Sequence, residues 1–320
     1  MKGLTQLLKN IISPFVFVFG FIYFLIFKKN YNFVYQAYVR TYCLSSGLIS
    51  QIMSFILSIN KERFQRIKKL KNMDVIYRLN ENGYVILDEK LEDKLLLGLI
   101  SLTKKLKCNY SKYDPDSQKV IFDEKLHKLP SYYYDSFDLV NSREVIEVIN
   151  FLKKMDIADN YLKSKTYLIG VNMWWSTKSK TIDSYSAQDF HFDLDGIKWL
   201  KFFVYLNDVN LENGPHVYVE GTHKSFSKPH SILKNGYKRV KDDEIYKHFS
   251  KDKIHKIIGK KGTIIIGDSS CFHKGVMPIK GNRLIFEITL SNSLFANSPK
   301  KNYSLNKLYN SNIKYNHECN

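Results

Sequence analysis

Residues 189–206 read DFHFDLDGIKWLKFFVYL, and this segment is the most informative part of the chain about its fold and its chemistry. Residues 199–206 form an almost continuous run of apolar and aromatic side chains, which is typical of a strand buried on both faces. The segment before this run contains His191 and Asp193. In an extended segment, side chains two positions apart point to the same side, so this pair can bind one metal ion.

The rest of the chain predicts helices first and strands later. Apolar residues at helical spacing predict helices at 91–106 and 144–155. Runs of β-branched and aromatic residues, separated by turn signals, predict further strands at 84–87, 166–175, 216–220, 263–266 and 283–290. Because strands and helices do not alternate, we predict a mainly β fold with flanking α-helices, either a β-sandwich or a jelly roll.

A third possible metal ligand and a basic residue follow further along the chain. His273 comes after the predicted strand 263–266, and Arg283 opens the predicted strand 283–290, ten residues later. Two imidazoles and one carboxylate form the facial triad of non-haem iron(II) oxygenases, which leaves positions open for a 2-oxo acid and O2. A guanidinium can bind the far carboxylate of such an acid through two parallel hydrogen bonds.

Each of these features has a plainer explanation when it is taken alone. A His-x-Asp pair is common in surface loops, a single His before a strand usually satisfies a hydrogen bond, and an Arg at a strand end is usually a surface charge. Their order along the chain favours the metal site. We therefore interpret His191, Asp193 and His273 as ligands of Fe(II), and Arg283 as the residue that binds 2-oxoglutarate.

Three stretches of the chain resemble the phytanoyl-CoA dioxygenase family of Fe(II)- and 2-oxoglutarate-dependent oxygenases. They read LNENGYVIL at 79–87, DFHFDLDGIKWLKFFVYLNDVNLENGPHVYVEGTHK at 189–224, and GDSSCFHKGVMPIKGNRLIFEITLSNSLF at 267–295. The resemblance implies a double-stranded β-helix, which is a form of jelly roll. It also implies the same three iron ligands and the same arginine.

The resemblance extends to the cosubstrate pocket. It implies that Met173 and Tyr205 line the 2-oxoglutarate pocket together with Arg283. Some family members have a hydroxyl residue two positions after the second metal-binding His, and that hydroxyl contacts the cosubstrate. This chain has Gly275 at that position, so we expect the contact to be missing or replaced.

The N-terminal residues differ in composition from the rest. Residues 11–27 read IISPFVFVFGFIYFLIF, without a charge and with lysines on both sides. This run is at the short limit for a membrane-spanning helix, which needs about 20 residues. Three interpretations remain open: a membrane anchor or interfacial helix, a helix packed on the catalytic domain or on a partner, and an uncleaved targeting segment.

We expect three parts along the chain. They are a hydrophobic helical N-terminal segment at 1–72, an oxygenase domain at 73–298 and a polar C-terminal tail at 299–320. A truncated chain that begins near Met73 is expected to keep the iron site.

The charge and the cysteines of the chain bear on its binding partners and its compartment. The formal net charge is +18, but the lysines are scattered and no nucleic-acid-binding motif accompanies them, so we do not expect nucleic-acid binding. The four cysteines form no CxxC pair, which fits a cytoplasmic protein.

We expect hydroxylation of a small or lipid-like substrate, with an anionic molecule as one candidate, and release of succinate and CO2. The alternative is a catalytically inactive jelly-roll module that acts as a membrane-tethered binding or structural protein.

Overall fold

The computed structural model describes residues 2–59, 72–109, 119–125, 129–178, 188–234, 236–296 and 298–318. Most helices precede the main strands, as the sequence predicts. In chain order the helices are α1 (Lys2–Phe27), α2 (Asn32–Leu44), α3 (Leu48–Ser58), α4 (Met73–Asn82), α5 (Asp93–Leu102), α6 (Ser136–Val140), α7 (Arg143–Lys154), α8 (Ile157–Leu162), α9 (His230–Leu233), α10 (Asp242–His248) and α11 (Pro299–Glu318).

The strands build two antiparallel sheets. They are β1 (Tyr84–Lys90), β2 (Cys108–Asn109), β3 (Lys119–Val120), β4 (Ser131–Tyr134), β5 (Tyr167–Thr177), β6 (Trp199–Tyr205), β7 (His216–Val219), β8 (Ile254–Ile257), β9 (Thr263–Gly267), β10 (His273–Gly275) and β11 (Asn282–Ser291). The larger sheet has eight strands in the order β1-β9-β6-β11-β5-β4-β2-β3, and the smaller has the order β10-β7-β8. A mixed α/β fold with a large antiparallel sheet, consistent with a jelly roll, is thus confirmed.

Strand β6 shows why the apolar run in the sequence is nearly continuous. Its alternate residues Leu200, Phe202 and Val204 join the core between the large sheet and the helices. The intervening residues Phe203 and Tyr205 belong to a second cluster, which also contains residues of β7 and β8. Both faces of the strand are therefore buried, as predicted, and the second face looks into the space between the two sheets.

The N-terminal helices pack directly on this body. Phe17, Phe21 and Phe24 lie on one face of α1, and their rings contact Phe295, which follows β11, at centroid distances of 5.9, 5.4 and 5.5 Å. Gly20 lies on α1 at the closest approach of α2, where a Cβ atom would be 2.5 Å from Cγ1 of Val34. The packed-helix interpretation therefore describes this face of α1.

The opposite face of α1 is uncovered. Phe15 and Phe19 are 63% and 70% exposed. In the part of the chain that the structure describes, α1 is long and apolar enough over Leu4–Phe27 to cross a membrane. Helices α2 and α3 meet at a bend of 118° and would pass the same test only as one broken span.

The C-terminal residues form a helix where the sequence predicted only a polar tail. Helix α11 packs on the sheet through Leu305 and Tyr309, which are buried in the core on the helix side. Tyr309 Oη also donates a hydrogen bond to Oδ1 of Asn150 on α7, at 2.8 Å. Two apolar residues four positions apart in a polar segment explain why the helix attaches and why its sequence signal is weak.

The packing of α1 predicts a large difference between two neighbouring phenylalanines. Phe21→Ala should lower the free energy of unfolding by about 3–5 kcal/mol, because it leaves a cavity between α1 and Phe295. Phe19→Ala is the matched control and should change it by no more than about 0.5 kcal/mol. Urea unfolding in one detergent buffer measures both. Equal effects of the two substitutions would show that α1 does not pack on the body in this orientation.

Candidate metal centre

Backbone hydrogen bonds bring the two predicted histidine ligands together. The amide nitrogen of His191 donates to the carbonyl oxygen of His273 at 3.0 Å, and the amide of His273 donates back to His191 at 2.8 Å. Two residues along, the amide of Asp193 donates to the carbonyl oxygen of Ser269 at 2.7 Å. This short ladder aligns the His-x-Asp segment with β10, and one ligand atom from each of the three side chains lies within 4.8 Å of the other two.

The imidazole rings are oriented by main-chain carbonyl groups. Nδ1 of His191 is 3.0 Å from the carbonyl oxygen of Asp189, and Nδ1 of His273 is 2.9 Å from that of Cys271. A carbonyl oxygen can only accept a hydrogen bond, so each Nδ1 carries the proton and each Nε2 keeps a lone pair. The Nε2 atoms lie 3.8 and 3.5 Å from the Asp193 carboxylate. This arrangement matches the donor set of a divalent metal site.

Charges around the triad favour its metal-binding protonation state. Burial alone would raise the pKa of Asp193, but Lys201, His273 and His191 together hold it well below its usual range. Burial, reinforced by His273, lowers the pKa of His191 to about 3. A carboxylate that stays ionised and an imidazole that stays neutral are the forms that bind a metal.

Lys201 is the cation at the centre of this charge network. Its Nζ lies 2.7 Å from Oδ2 of Asp193, 3.0 Å from Oδ2 of Asp195 and 4.0 Å from Oε1 of Glu287. Burial would lower the pKa of Lys201, but these carboxylates raise it well above its usual value. Asp195 also lies beside the site and is connected to it through Lys201.

Helix α2 holds the loop that carries Asp193. Tyr38 Oη donates to the carbonyl oxygen of Gly196 at 2.9 Å, and Tyr35 Oη donates to that of Leu194. The Tyr42 ring stacks on Phe192 with centroids 5.8 Å apart. Sequence reasoning missed this role because it treated the N-terminal segment as separable. A chain that begins near residue 73 would lack these contacts.

Arg283 is a buried cation in the space between the sheets. It is 3% exposed, Nη2 donates to Oγ of Ser176 at 3.0 Å, and Nη1 donates to the carbonyl oxygen of Gly214. Its Nε has no hydrogen-bond partner, and among the described residues no carboxylate pairs with the guanidinium. Burial lowers the pKa of Arg283. Burying such a charge without a counter-ion is unfavourable, so the side chain is suited to an anionic ligand.

Gly275 leaves room for this guanidinium. A Cβ atom at Gly275 would lie 3.2 Å from Nη2 of Arg283, so a larger residue would crowd it. A hydroxyl is nevertheless present, because Ser176 contacts the same nitrogen from β5. Gly275 lies two residues after His273 on β10, about 7 Å along an extended strand. The guanidinium is therefore near enough to the triad for a short dicarboxylate to reach both.

The two other predicted pocket residues lie on opposite faces of the large sheet. Tyr205 faces the same interior as Arg283, but its hydroxyl donates to the carbonyl oxygen of Ile257 at 2.9 Å and accepts from the amide of His216 at 3.2 Å. Met173 does not reach the site, so its assignment is corrected. It pairs with Phe286 across the sheet and belongs to the core on the helix side.

His216 and His223, which lie on and just after β7, do not belong to the metal-binding group. Nε2 of His223 lies 3.1 Å from the carbonyl oxygen of Asn80, and Nδ1 lies 3.7 Å from Sγ of Cys271. His216 is buried beside Phe203, with ring centroids 4.6 Å apart. Among the described residues, the metal-binding geometry is found at His191, Asp193 and His273.

Comparison with solved structures finds likenesses at low sequence identity. HygX from Streptomyces hygroscopicus, solved with nickel, 2-oxoglutarate and hygromycin B bound, is 14% identical over 71% of this chain and 90% of that chain, with a TM-score of 0.48. The epimerase SnoN from nogalamycin biosynthesis is 13% identical over 68% and 81%, with a TM-score of 0.46. EctD from S. alaskensis, in its apo form, is 15% identical over 70% and 79%, with a TM-score of 0.46.

These TM-scores are all below 0.5, so the family assignment rests on sequence. No curated protein sequence matches the chain significantly. Residues 79–276 match the family model described as phytanoyl-CoA dioxygenase (PhyH). The match covers more than half of the chain and includes all three residues of the metal-binding group. The chain belongs to the phytanoyl-CoA dioxygenase family.

Proposed function

We propose that this protein is an Fe(II)- and 2-oxoglutarate-dependent dioxygenase that hydroxylates a small molecule within a double-stranded β-helix at 73–298. The observation that carries the proposal is the buried guanidinium of Arg283, which has no carboxylate partner among the described residues and lies near a His-Asp-His group. A metal-binding group alone fits many proteins. A buried cation within reach of it calls for a ligand that has one anionic end on the metal and another on the arginine.

Each residue of the site would have a separate role. His191, Asp193 and His273 would hold iron(II), and Arg283 would bind the distal carboxylate of 2-oxoglutarate while Ser176 supports its Nη2. When bound, iron with 2-oxoglutarate and O2 supplies the oxidant that converts C–H to C–OH, with release of succinate and CO2. Lys201 keeps Asp193 ionised throughout. The buried walls of the interior exclude water from the reacting groups.

The alternative, a catalytically inactive jelly-roll module, accounts less well for these features. A protein without the activity has no need to keep Arg283 buried without a counter-ion, since such a charge is unfavourable to folding. It also has no need to orient two neutral imidazoles towards one ionised carboxylate. The intact charge arrangement therefore supports the enzyme.

A membrane role for the N-terminal segment follows from the two faces of α1. One face is fixed to the body, so α1 would lie in the interface as part of the folded domain and would not span the bilayer as a detached anchor. Phe15 and Phe19 would then enter the acyl region, while Lys28 and Lys29 at the end of the helix would face lipid phosphates. We propose a cytoplasmic enzyme that associates with a membrane surface in this way.

Iron binding should depend on the three predicted ligands. His191→Ala, Asp193→Ala and His273→Ala should each abolish stoichiometric Fe(II) binding, measured anaerobically by metal analysis, and should abolish succinate formation. His255→Ala is the matched control, since His255 pairs with Glu220 at 3.0 Å outside the triad. Undiminished turnover by the Asp193→Ala protein would exclude the assignment.

Cosubstrate affinity should depend on Arg283. Loss of one partner of a buried charge pair costs about 3–5 kcal/mol, so Arg283→Ala should weaken 2-oxoglutarate binding at least about a hundredfold. Arg283→Lys should give an intermediate affinity because it keeps the charge but not the planar fork. Titration of the anaerobic Fe(II) protein, followed by its visible charge-transfer band, measures this.

The control for that titration is Lys274→Ala, because Lys274 pairs with Asp242 at 2.5 Å and should leave 2-oxoglutarate affinity unchanged. Iron affinity should hardly change in any of these variants, since Arg283 is not a ligand. If Arg283→Ala leaves the titration unaltered, the cosubstrate binds elsewhere and the arginine has another role.

Membrane association should depend on the uncovered face of α1. The double variant Phe15→Ser/Phe19→Ser should reduce cosedimentation with phosphatidylcholine–phosphatidylglycerol vesicles at least about tenfold, because two largely exposed rings lose their burial in lipid. Leu211→Ser/Ile279→Ser is the control, since these residues are also 60% and 65% exposed but lie outside α1. Wild-type protein that stays in the supernatant would contradict the interfacial role.

A further inference from the structure

A polar cavity of about 520 Å³ opens beside Asp193, on its Lys201 side. Three parts of the chain build it: the inward face of the large sheet, the loop after His191, and helices from both chain termini. The lining residues that matter here are Gln36 on α2, Asp193, Asp195, Lys201, Glu287 on β11 and Asn302 on α11. Since one wall is a metal ligand, a molecule in this cavity lies beside the triad.

Glu287 gives the cavity its chemical character. It is 6% exposed and lies within β11, where the inward neighbour Ile285 is apolar. Its Oε1 accepts hydrogen bonds from Nδ2 of Asn172 at 3.1 Å and from Oγ1 of Thr289 at 2.8 Å. A buried carboxylate is costly unless it is hydrogen-bonded or paired, and here two side chains orient it towards the cavity that it lines.

The fixed charges leave this cavity negative. Lys201 lies within 4.0 Å of Asp193, Asp195 and Glu287, so one cation is shared among three carboxylates. In formal charge, the two positive charges of a divalent metal and the two negative charges of bound 2-oxoglutarate cancel. Lys201 and Arg283 then offset two of the three carboxylates. Lys301 also lines the cavity, but it is exposed, so solvent screens its charge. One formal negative charge remains beside the reaction centre.

We propose that this cavity binds the substrate, and that the substrate is a small polar molecule carrying an amine. This rests on the proposed function, because it gives that same site its substrate class. The ammonium group binds Glu287 and Asp195, and further hydroxyl or amide groups meet Gln36 and Asn302. An anionic substrate, one of the candidates that the sequence suggested, would be repelled by two carboxylates here, and a fatty acyl chain would bring no hydrogen-bond donor to either of them.

The proposal explains why both chain termini pack on the catalytic body. Helix α2 contributes Tyr35 and Gln36 to the cavity, and α11 contributes Lys301 and Asn302. Without these helices the charged side of the sheet would be open to water. Hydrogen bonds between substrate and carboxylate would then be weaker, because water competes for them.

Matched probes on one carbon skeleton test the inference. Glucosamine, glucose and glucuronate differ in charge but share a hexose ring, and decanoate represents a lipid-like ligand. Calorimetric titrations of the full chain, with Fe(II) and 2-oxoglutarate and also with neither, should give glucosamine the highest affinity and glucuronate and decanoate no binding. Glu287→Gln should weaken glucosamine binding about tenfold to a hundredfold, as expected for loss of a hydrogen bond to a charged group.

Two further variants keep the result interpretable. Asp195→Asn should also weaken glucosamine binding, and the variant should fold normally because this side chain is half-exposed. Glu220→Gln is the control, because Glu220 pairs with His255 outside the cavity and should leave all affinities unchanged. Circular dichroism melting checks that every variant is folded.

The outcomes separate this inference from the proposed function. If iron and 2-oxoglutarate fail to bind, the proposed function fails, whereas the ranking of probes by the metal-free protein still tests the cavity. Each of four results would overturn the inference. They are equal affinity for glucosamine and glucose, tighter binding of glucuronate or decanoate than of glucosamine, no binding of glucosamine, and unchanged glucosamine affinity in Glu287→Gln.

Discussion

The pair of backbone hydrogen bonds between His191 and His273 is the constraint on which the site depends. They join a loop to a short strand from a distant part of the chain, and so fix the spacing of two rings whose centroids are 4.3 Å apart. Every other feature of the centre uses this frame. The carbonyl groups that orient the rings belong to the same two segments, and Asp193 reaches the triad because its amide continues the ladder to Ser269.

Lys201 connects this frame to the large sheet. It projects from β6 into the interior. Its ion pair with Asp193 joins the loop that carries Asp193 to a strand that is paired on both sides. A buried charge is costly unless it is paired and hydrogen-bonded, and here three carboxylates surround the lysine. The same cluster therefore keeps a metal ligand ionised and leaves an excess of negative charge in the adjoining cavity. The chemistry of the metal site and the recognition of its substrate are thus linked through one side chain.

The sequence predicted what depends on local spacing and missed what depends on long-range packing. His191 and Asp193 could be predicted as a metal-binding pair because strand geometry places alternate residues on one side. Met173 was misplaced because its strand, TYLIGVNMWW, is apolar at nearly every position, so nothing in it marks the inward face. Pairing with Phe286 decides that face. The role of Tyr35 and Tyr38 was missed because their hydrogen bonds to the carbonyl groups of residues 194 and 196 join distant parts of the chain and leave no trace in composition.

The N-terminal helix α1 has one packed face and one uncovered face, so packing on the body does not exclude the proposed membrane association, although sequence analysis treated the two as alternatives. Helix α1 packs on Phe295 with one face and leaves Phe15 and Phe19 uncovered on another. Helix α2 follows it directly, holds the metal loop through its tyrosines and lines the cavity. A lipid surface that binds α1 would therefore act on a helix that is packed on the folded body, next to α2. Because α1 and α2 are in close contact at Gly20 and Val34, a shift of α1 at the membrane would be transmitted to α2, which lines the cavity through Tyr35 and Gln36.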